Sequence, residues 1–232
     1  MIFFDIDGTL LDHDYAERQG ILDFLRTNPS LASFTEQQII ETWKELSRKY
    51  FEEFLMNKLS FQDQKRARMI ELFEMVDVNL TNEEADDKFK NYLSFYKENW
   101  IAYPDVMEVL EKLKVLGYPL GVISNGDYQQ QVEKLKRIGV EKFINYVITS
   151  SEVGVSKPDS TIFIKACELT NSSIEKCYYV GDRLEIDALG SQVAGMNGIW
   201  LNRSGGKECR EVTVIGSLGN LLNLLENDLE EV

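Results

Sequence analysis

The chain has 232 residues, 44% of them apolar, with 39 acidic against 25 basic side chains and a net charge of −14 at pH 7. That is enough apolar material for one large core, or for one core and a smaller module, while the acidic balance argues against a surface for long nucleic acids, which needs a basic stripe. No apolar run approaches the ~18 residues of a membrane span, and the opening IFF is too short for a signal segment, so a soluble cytoplasmic protein is expected.

The first element is IFFDI from Ile2, a continuous apolar run that reads as a buried parallel strand and runs out through Asp5, Asp7, Gly8 and Thr9. From about His13 to Trp100 no convincing strand occurs. Thr35 with Gln38, Ser60 with Asp63 and Thr81 with Glu84 each resemble a capping box at a helix start. Ile39, Trp43, Leu46, Tyr50 and Phe54 recur at steps of three and four and make one apolar stripe. This stretch reads as about four helices in a small bundle, rejoining the rest of the chain near Tyr103 and Pro104. Within it His13 is expected to be a polar loop residue. Lys65, Arg66 and Arg68 beside Phe61 read as a solvated helix face, with contact to an anionic substrate as the alternative.

After the insert, strand and helix alternate. LGVIS from Leu120 precedes a helix opened by Asp127 and closed at Gly139; YVIT from Tyr146 precedes a helix from Pro158 to about Leu169. CYYVG from Cys177 and GIWLN from Gly198 follow, then TVI from Thr213 and a closing helix in SLGNLLNLLEN. Such alternation predicts an α/β fold with a parallel sheet. Its parts are residues 1–12 and 101–232 as the core and 13–100 as an all-helical insert. Cys167, Cys177 and Cys209 are odd in number and widely spaced, which fits reduced packing residues rather than a disulfide framework or a metal knuckle.

The chemistry gathers at strand ends, where α/β proteins place ligands. Residues two apart in a strand share a side, so Asp5 and Asp7 converge, and their repulsion calls for a cation or a retained proton. A turn and a cap would be the bland reading of the same DxDG. Ser124, Asn125 and Gly126 offer a hydroxyl and backbone amides ahead of a helix start, which suits an anion. Lys157 just before Pro158 can bring an ammonium, and Asp182 with Asp187 can supply oxygen ligands to a hard cation. Arg183 adjoins them as a substrate contact, a loop charge or an ion-pair partner.

In that order DIDGT, SN, KP and GDRLEID resemble the four motifs of the haloacid dehalogenase superfamily, and their spacing covers nearly the whole chain. A helical insert directly after the first motif is similar to the phosphatase branch with a bundle cap, and SSEVGVSKPDSTIF looks like its nucleotidase and phosphoglycolate phosphatase-like members. The resemblance implies a doubly wound, Rossmann-like parallel sheet and Mg²⁺-dependent hydrolysis of a small phosphomonoester, either a nucleoside monophosphate or a sugar phosphate. It implies Asp5 as a nucleophile forming an aspartyl phosphate and Asp7 as general acid and then base. Ser124 and Lys157 would bind and stabilise the phosphoryl group, with Asn125 and Gly126 lining the substrate side. Mg²⁺ would be held by Asp5, the backbone carbonyl of Asp7 and Asp182, with Asp187 supporting that shell or entering it. Selectivity would rest with the cap, and the protein would be a monomer or weak dimer. A phosphomutase, a 2-haloacid dehalogenase and a non-catalytic binding module of the same fold are the alternatives. The dehalogenase is disfavoured because it has no use for acids at 7, 182 and 187.

Overall fold

The computed structural model describes residues 1–56, 58–206 and 209–230. Its contacts divide the chain into two compact units, residues 1–12 with 101–232 and residues 13–100. The chain opens with strand β1, Ile2–Phe4, and after a tight turn enters the helical unit.

That unit holds four α-helices among the described residues: α1 (His13–Thr27), α2 (Glu36–Leu55), α3 (Asp63–Glu74) and α4 (Asn82–Glu98). The capping boxes at Thr35 and Thr81 form in full, each hydroxyl accepting from the backbone amide three residues on while that residue's side chain accepts from the cap amide. The Ser60 hydroxyl accepts from the Asp63 amide at 3.0 Å, although the regular helix begins only at Asp63. Of the apolar stripe on α2, Ile39, Trp43 and Leu46 are buried, while Tyr50 and Phe54 are half-buried. Trp43 packs against Tyr92 of α4 with ring centroids 4.4 Å apart, and this aromatic centre is the bundle's core. His13 is the first residue of α1 rather than a loop residue, and its Nδ1 lies 2.8 Å from the Tyr96 hydroxyl.

The other unit continues with α5 (Val106–Val115), β2 (Leu120–Ser124), α6 (Tyr128–Arg137), β3 (Tyr146–Thr149), the single turn α7 (Ser150–Val153) and α8 (Ser160–Leu169). It ends with β4 (Tyr178–Gly181), a π-type turn at Leu184–Leu189, α9 (Gly190–Ala194), β5 (Asn197–Leu201), β6 (Thr213–Ile215) and α10 (Gly219–Glu230). The six strands form one parallel sheet in the order β3-β2-β1-β4-β5-β6. This is the doubly wound parallel sheet the sequence predicts. The chain steps outward from β1 through β2 to β3 and then returns to β4 on the other side of β1, so the direction of winding reverses between β1 and β4, the position at whose carboxyl ends sheets of this kind take ligands.

Continuous apolar runs form the central strands because both faces are covered: Ile2, Phe3 and Phe4 are fully buried, as are Val122 and Ile123. On one face α8 lays Ile162, Phe163, Ala166 and Cys167 against Phe3, Ile123, Ile148 and Tyr179. Each large apolar side chain buried there contributes about 1.5–3 kcal/mol. Cys167 and Cys177 belong to the same cluster, with sulfurs 3.6 Å apart as free thiols, and Cys209 is a half-buried free thiol. α8 begins at Ser160, not at Pro158, because the Asp159 carboxylate caps it by accepting from the Thr161 amide at 2.8 Å. Where the insert leaves and returns, the Asp12 amide donates to the Ile101 carbonyl at 2.9 Å and the Tyr103 amide to the Leu10 carbonyl at 3.1 Å, which closes the sheet end across the insertion point.

Candidate active site

β1 stops two residues earlier than the apolar run IFFDI suggests. The Asp5 amide still donates to the Val180 carbonyl of the neighbouring strand at 2.9 Å, but the Ile6 carbonyl then accepts from Leu10 and Leu11, at 2.9 and 2.8 Å, and turns the chain. Gly8 makes this turn at φ +80°, and a Cβ there would collide with the Asp182 carboxylate. At the end of β4, a Cβ on Gly181 would collide with the Asp187 side chain. Both glycines therefore make room for acids, which explains why DIDG and VGD carry them. The Trp200 indole donates to the Asp182 carbonyl at 2.8 Å and fixes that strand end from β5.

Asp5, Asp182 and Asp187 bring carboxylate oxygens within 4.8 Å of one another. Lys157 lies among them: its ammonium is 2.8 Å from Asp5 Oδ1 and 2.7 Å from Asp187 Oδ1. It also donates to the Tyr179 hydroxyl at 2.7 Å, which in turn donates to the Ile123 carbonyl at 2.8 Å. Lys157 is only 2% exposed, and a lysine that deep is held by its partners. Its backbone is fixed as well, because Asn125 donates to the Lys157 carbonyl at 3.0 Å and accepts from the Lys157 amide at 2.7 Å.

The electrostatics follow from packing acids out of water. Burial pushes the Asp5 carboxyl up to about 6, with Lys157 opposing and Asp187 and Asp7 adding to the rise. Burial, then Asp187 and Asp5, push Asp182 well above the usual carboxylate range. Burial works against the charge on Lys157, yet Asp187 and Asp5 outweigh it and hold the ammonium above its usual value. One ammonium among three acids leaves the cluster short of positive charge.

That shortage, together with an Asp182 Oδ1 that is buried without a hydrogen-bond partner, fits a hard divalent cation bound by oxygen. Asp187 has other partners as well: its Oδ1 accepts from Lys157 and, at 3.3 Å, faces the Tyr179 hydroxyl, while its Oδ2 accepts from the Arg183 amide at 3.0 Å. Asp5, Asp182 and Asp187 are together the carboxylates that could hold such an ion, and Asp187 also helps hold Lys157 in place. The Arg183 backbone amide is built into this frame, and its side-chain charge acts on Asp182, opposing the rise.

The remaining residues predicted for the site are distributed as follows. Ser124, 1% exposed at the end of β2, accepts from Gln131 Nε2 at 3.0 Å, which leaves its own hydroxyl hydrogen for another acceptor. The Gly126 amide, expected to face an anion, donates to the Ser150 hydroxyl at 2.9 Å, and the Asn125 side chain serves the Lys157 backbone. Both help build the loop. Asp7 stands apart from the three clustered carboxylates: its two oxygens lie 2.8 and 2.5 Å from the ammonium of Lys134 on α6. Gln131, Lys134 and Tyr179 are the residues that sequence reading passes over. For Gln131 and Lys134 the signal is a polar type on an apolar register, since with Leu135 and the capping Ile138 they form one buried face at steps of three and four.

In the helical unit the basic cluster finds partners within that unit. Arg66 pairs with Asp86 at 2.8 Å and Asp63 at 3.1 Å, and Lys65 stands 4.3 Å over the Phe61 ring. Arg68 is turned inward to Gln64 and Ser47. No helix among the described residues is long and apolar enough to cross a membrane.

A family model described as haloacid dehalogenase-like hydrolase matches residues 1–195. The glyceraldehyde 3-phosphate phosphatase of Methanopyrus kandleri is 41% identical over 101 residues, which are 44% of this chain and 43% of that protein, so the match spans less than half of the relative's length. The N-acylneuraminate-9-phosphatase of Rattus norvegicus is 27% identical across 88% of this chain and 83% of its own. Among solved structures, the HAD-hydrolase YfnB from Bacillus subtilis, solved bound to magnesium, shares the fold with a TM-score of 0.84 at 21% identity, covering 97% of each chain.

Proposed function

This chain belongs to the haloacid dehalogenase-like hydrolases, and from that membership we propose that it is a Mg²⁺-dependent phosphatase that hydrolyses a small sugar-type phosphomonoester through an aspartyl phosphate on Asp5. The observation that carries this reading is a buried carboxylate at the end of β1, paired with Lys157 at 2.8 Å and within 4.8 Å of Asp182. Relatives named for glyceraldehyde 3-phosphate and N-acylneuraminate 9-phosphate support a phosphate ester of a small polyhydroxy compound over a nucleotide.

Asp5, ionised at neutral pH, attacks phosphorus in line with the departing ester oxygen; the new Asp5–phosphorus bond forms as the ester bond breaks. Asp7 gives its proton to the leaving alkoxide. As a carboxylate it then takes a proton from the water that attacks phosphorus, releasing phosphate and restoring Asp5. Lys157 balances the charge between Asp5 and the phosphoryl group, and Ser124, its oxygen already accepting from Gln131, directs its hydrogen to a phosphoryl oxygen. When bound by Asp5 and Asp182, with the backbone carbonyl of Asp7 that the family pattern implies, Mg²⁺ supplies the positive charge the cluster lacks and makes phosphorus more electrophilic.

The test is a release assay over glyceraldehyde 3-phosphate, N-acylneuraminate 9-phosphate, nucleoside monophosphates and a 2-haloacid, with Mg²⁺ and with excess chelator. Phosphate release from the sugar-type esters that stops on chelation is expected. Halide release without phosphate release, or full activity in chelator, overturns the reading.

A further inference from the structure

Lys134 is a lysine 3% exposed on α6, a helix whose neighbouring lysine, Lys136, points its ammonium toward exposed Glu141. Lysines are rarely buried without a reason strong enough to offset desolvation. The partner of Lys134 is Asp7, 127 positions away in sequence, and the ammonium reaches both carboxylate oxygens, at 2.8 and 2.5 Å. The backbone of Asp7 is already fixed by its bridge to Leu11 and by the turn that the Ile6 carbonyl closes. The clasp on both oxygens acts on the Asp7 side-chain torsion.

We propose that Lys134 is a positioning residue for Asp7: in the acid form one Asp7 oxygen carries the proton to the leaving group while the other accepts from Lys134. The carboxylate left behind, held by Lys134, takes a proton from the attacking water and so returns to the acid. Lys134 keeps its own protons throughout; Asp7 alone cycles between acid and carboxylate. The inference rests on the acid and base role given to Asp7 above. A purely structural tie between α6 and the turn after β1 would use the same ion pair, so the two are separated by kinetics rather than by stability.

The experiment is a double-mutant cycle with Asp7→Asn and Lys134→Met, with Lys134→Gln as a second variant should the first fold poorly and Lys134→Arg as the conservative one. Turnover of glyceraldehyde 3-phosphate and both the burst and the steady state with p-nitrophenyl phosphate are measured. Lys134→Met should lower kcat by about 100-fold, the loss expected from a misplaced catalytic group, with KM within about 3-fold of native. Added to Asp7→Asn it should cause no further loss, because the clasp has nothing left to position. The p-nitrophenol burst, whose leaving group needs no proton, should survive in both single variants, and Lys134→Arg should recover most of kcat. Losses that multiply in the double variant, or a change in KM alone, overturn the proposal. If Asp7→Asn is impaired while Lys134→Met and Lys134→Gln are not, the proposal fails alone; if Asp7→Asn itself turns over normally, the role of Asp7 fails and takes the proposal with it.

Discussion

The acids of the helical unit and those at the end of the sheet are held in opposite ways. In the helical unit Asp63, Asp86 and Glu84 sit at the surface and are held below the usual carboxylate range, by the Ser60 hydroxyl, by Arg66 and by the Thr81 amide respectively. Glu71, where burial pulls upward, is still brought down by Lys49 and Tyr50. At the sheet end burial drives Asp5 up to about 6 and Asp182 well above the ordinary range, with neighbouring acids adding to it. Position in the α/β unit is not the cause: Asp105, where burial also pulls upward, is held low by Arg203, which grips both its oxygens at 2.9 and 3.0 Å. Acids paired one to one stabilise a fold modestly, whereas acids gathered around one lysine store a demand for positive charge.

The comparison breaks first at Asp5. Asp5→Asn should abolish turnover, since the amide is no nucleophile, yet it should stabilise the metal-free protein at neutral pH. The sign follows from the raised carboxyl at about 6. Below about pH 4 both folded and unfolded chains hold the proton and the charge brings no penalty; between about 4 and 6 the folded chain keeps a proton the unfolded one loses, so stability falls as pH rises; above about 6 the penalty is complete. The gain in Asp5→Asn should therefore be at most about 3 kcal/mol at pH 7.5 and absent near pH 4. Chemical denaturation in chelator at the two pH values measures it. A variant less stable than native at pH 7.5 would mean that the Lys157 pair outweighs burial, and the contrast with the helical unit would disappear.

Adding Mg²⁺ should offset that demand. At about 100 times its dissociation constant an ion that binds only the folded state adds about 2.7 kcal/mol, a melting rise of roughly 5–10 °C for a chain of this length. Asp182→Asn should lose most of the rise, because its Oδ1 is the buried oxygen without a partner. Arg66→Gln, which touches only surface acids, should leave the rise intact. An undiminished rise in Asp182→Asn would locate the ion elsewhere.

The strands were legible because they are continuous apolar runs, and the caps of α2 and α4 because a hydroxyl and its partner lie three residues apart. Such signals are local. Ile6 shows where they mislead: it is fully buried like the strand residues before it, yet it lies in the turn, since burial alone does not report backbone direction. The strand-end acids were legible through their ordered motif, but the frame around them was not. Asn125 and Gly126, placed as substrate contacts by their position before a helix, also make hydrogen bonds to Lys157 and Ser150 that the sequence does not announce. The partner of Lys134 could not be read from EKLKR, since it lies 127 positions away and only the fold joins them.

Tyr179 tests whether the frame around Lys157 is separable from the charge it carries. Tyr179→Phe keeps the ring packed against Phe163, with centroids 5.1 Å apart, but removes the hydroxyl between Lys157 and the Ile123 carbonyl. Both groups are buried, so stability should fall by about 1–2 kcal/mol. Lys157 keeps Asp5 and Asp187, and kcat should fall by less than about 10-fold. Thermal melts and turnover on the same preparation read both quantities. A collapse of activity comparable to Lys157→Ala would show that the hydroxyl itself acts on the substrate.

The smallest effect belongs to the helical unit. Arg66 joins Asp86 and Asp63 at 2.8 and 3.1 Å, with side chains 30–50% exposed, and its charge on this solvated face is screened. Arg66→Gln should move the melting midpoint by no more than about 2 °C at 0.15 M salt. Raising the salt should shrink even that difference, because the partners are exposed, while the opposing effect of Asp5→Asn, which arises in a buried cluster, should persist at the same ionic strength. Salt dependence thus separates the two kinds of acid independently of any assumption about the substrate. A salt-insensitive loss of several degrees in Arg66→Gln would place Arg66 with the buried groups and erase the distinction between the two regions.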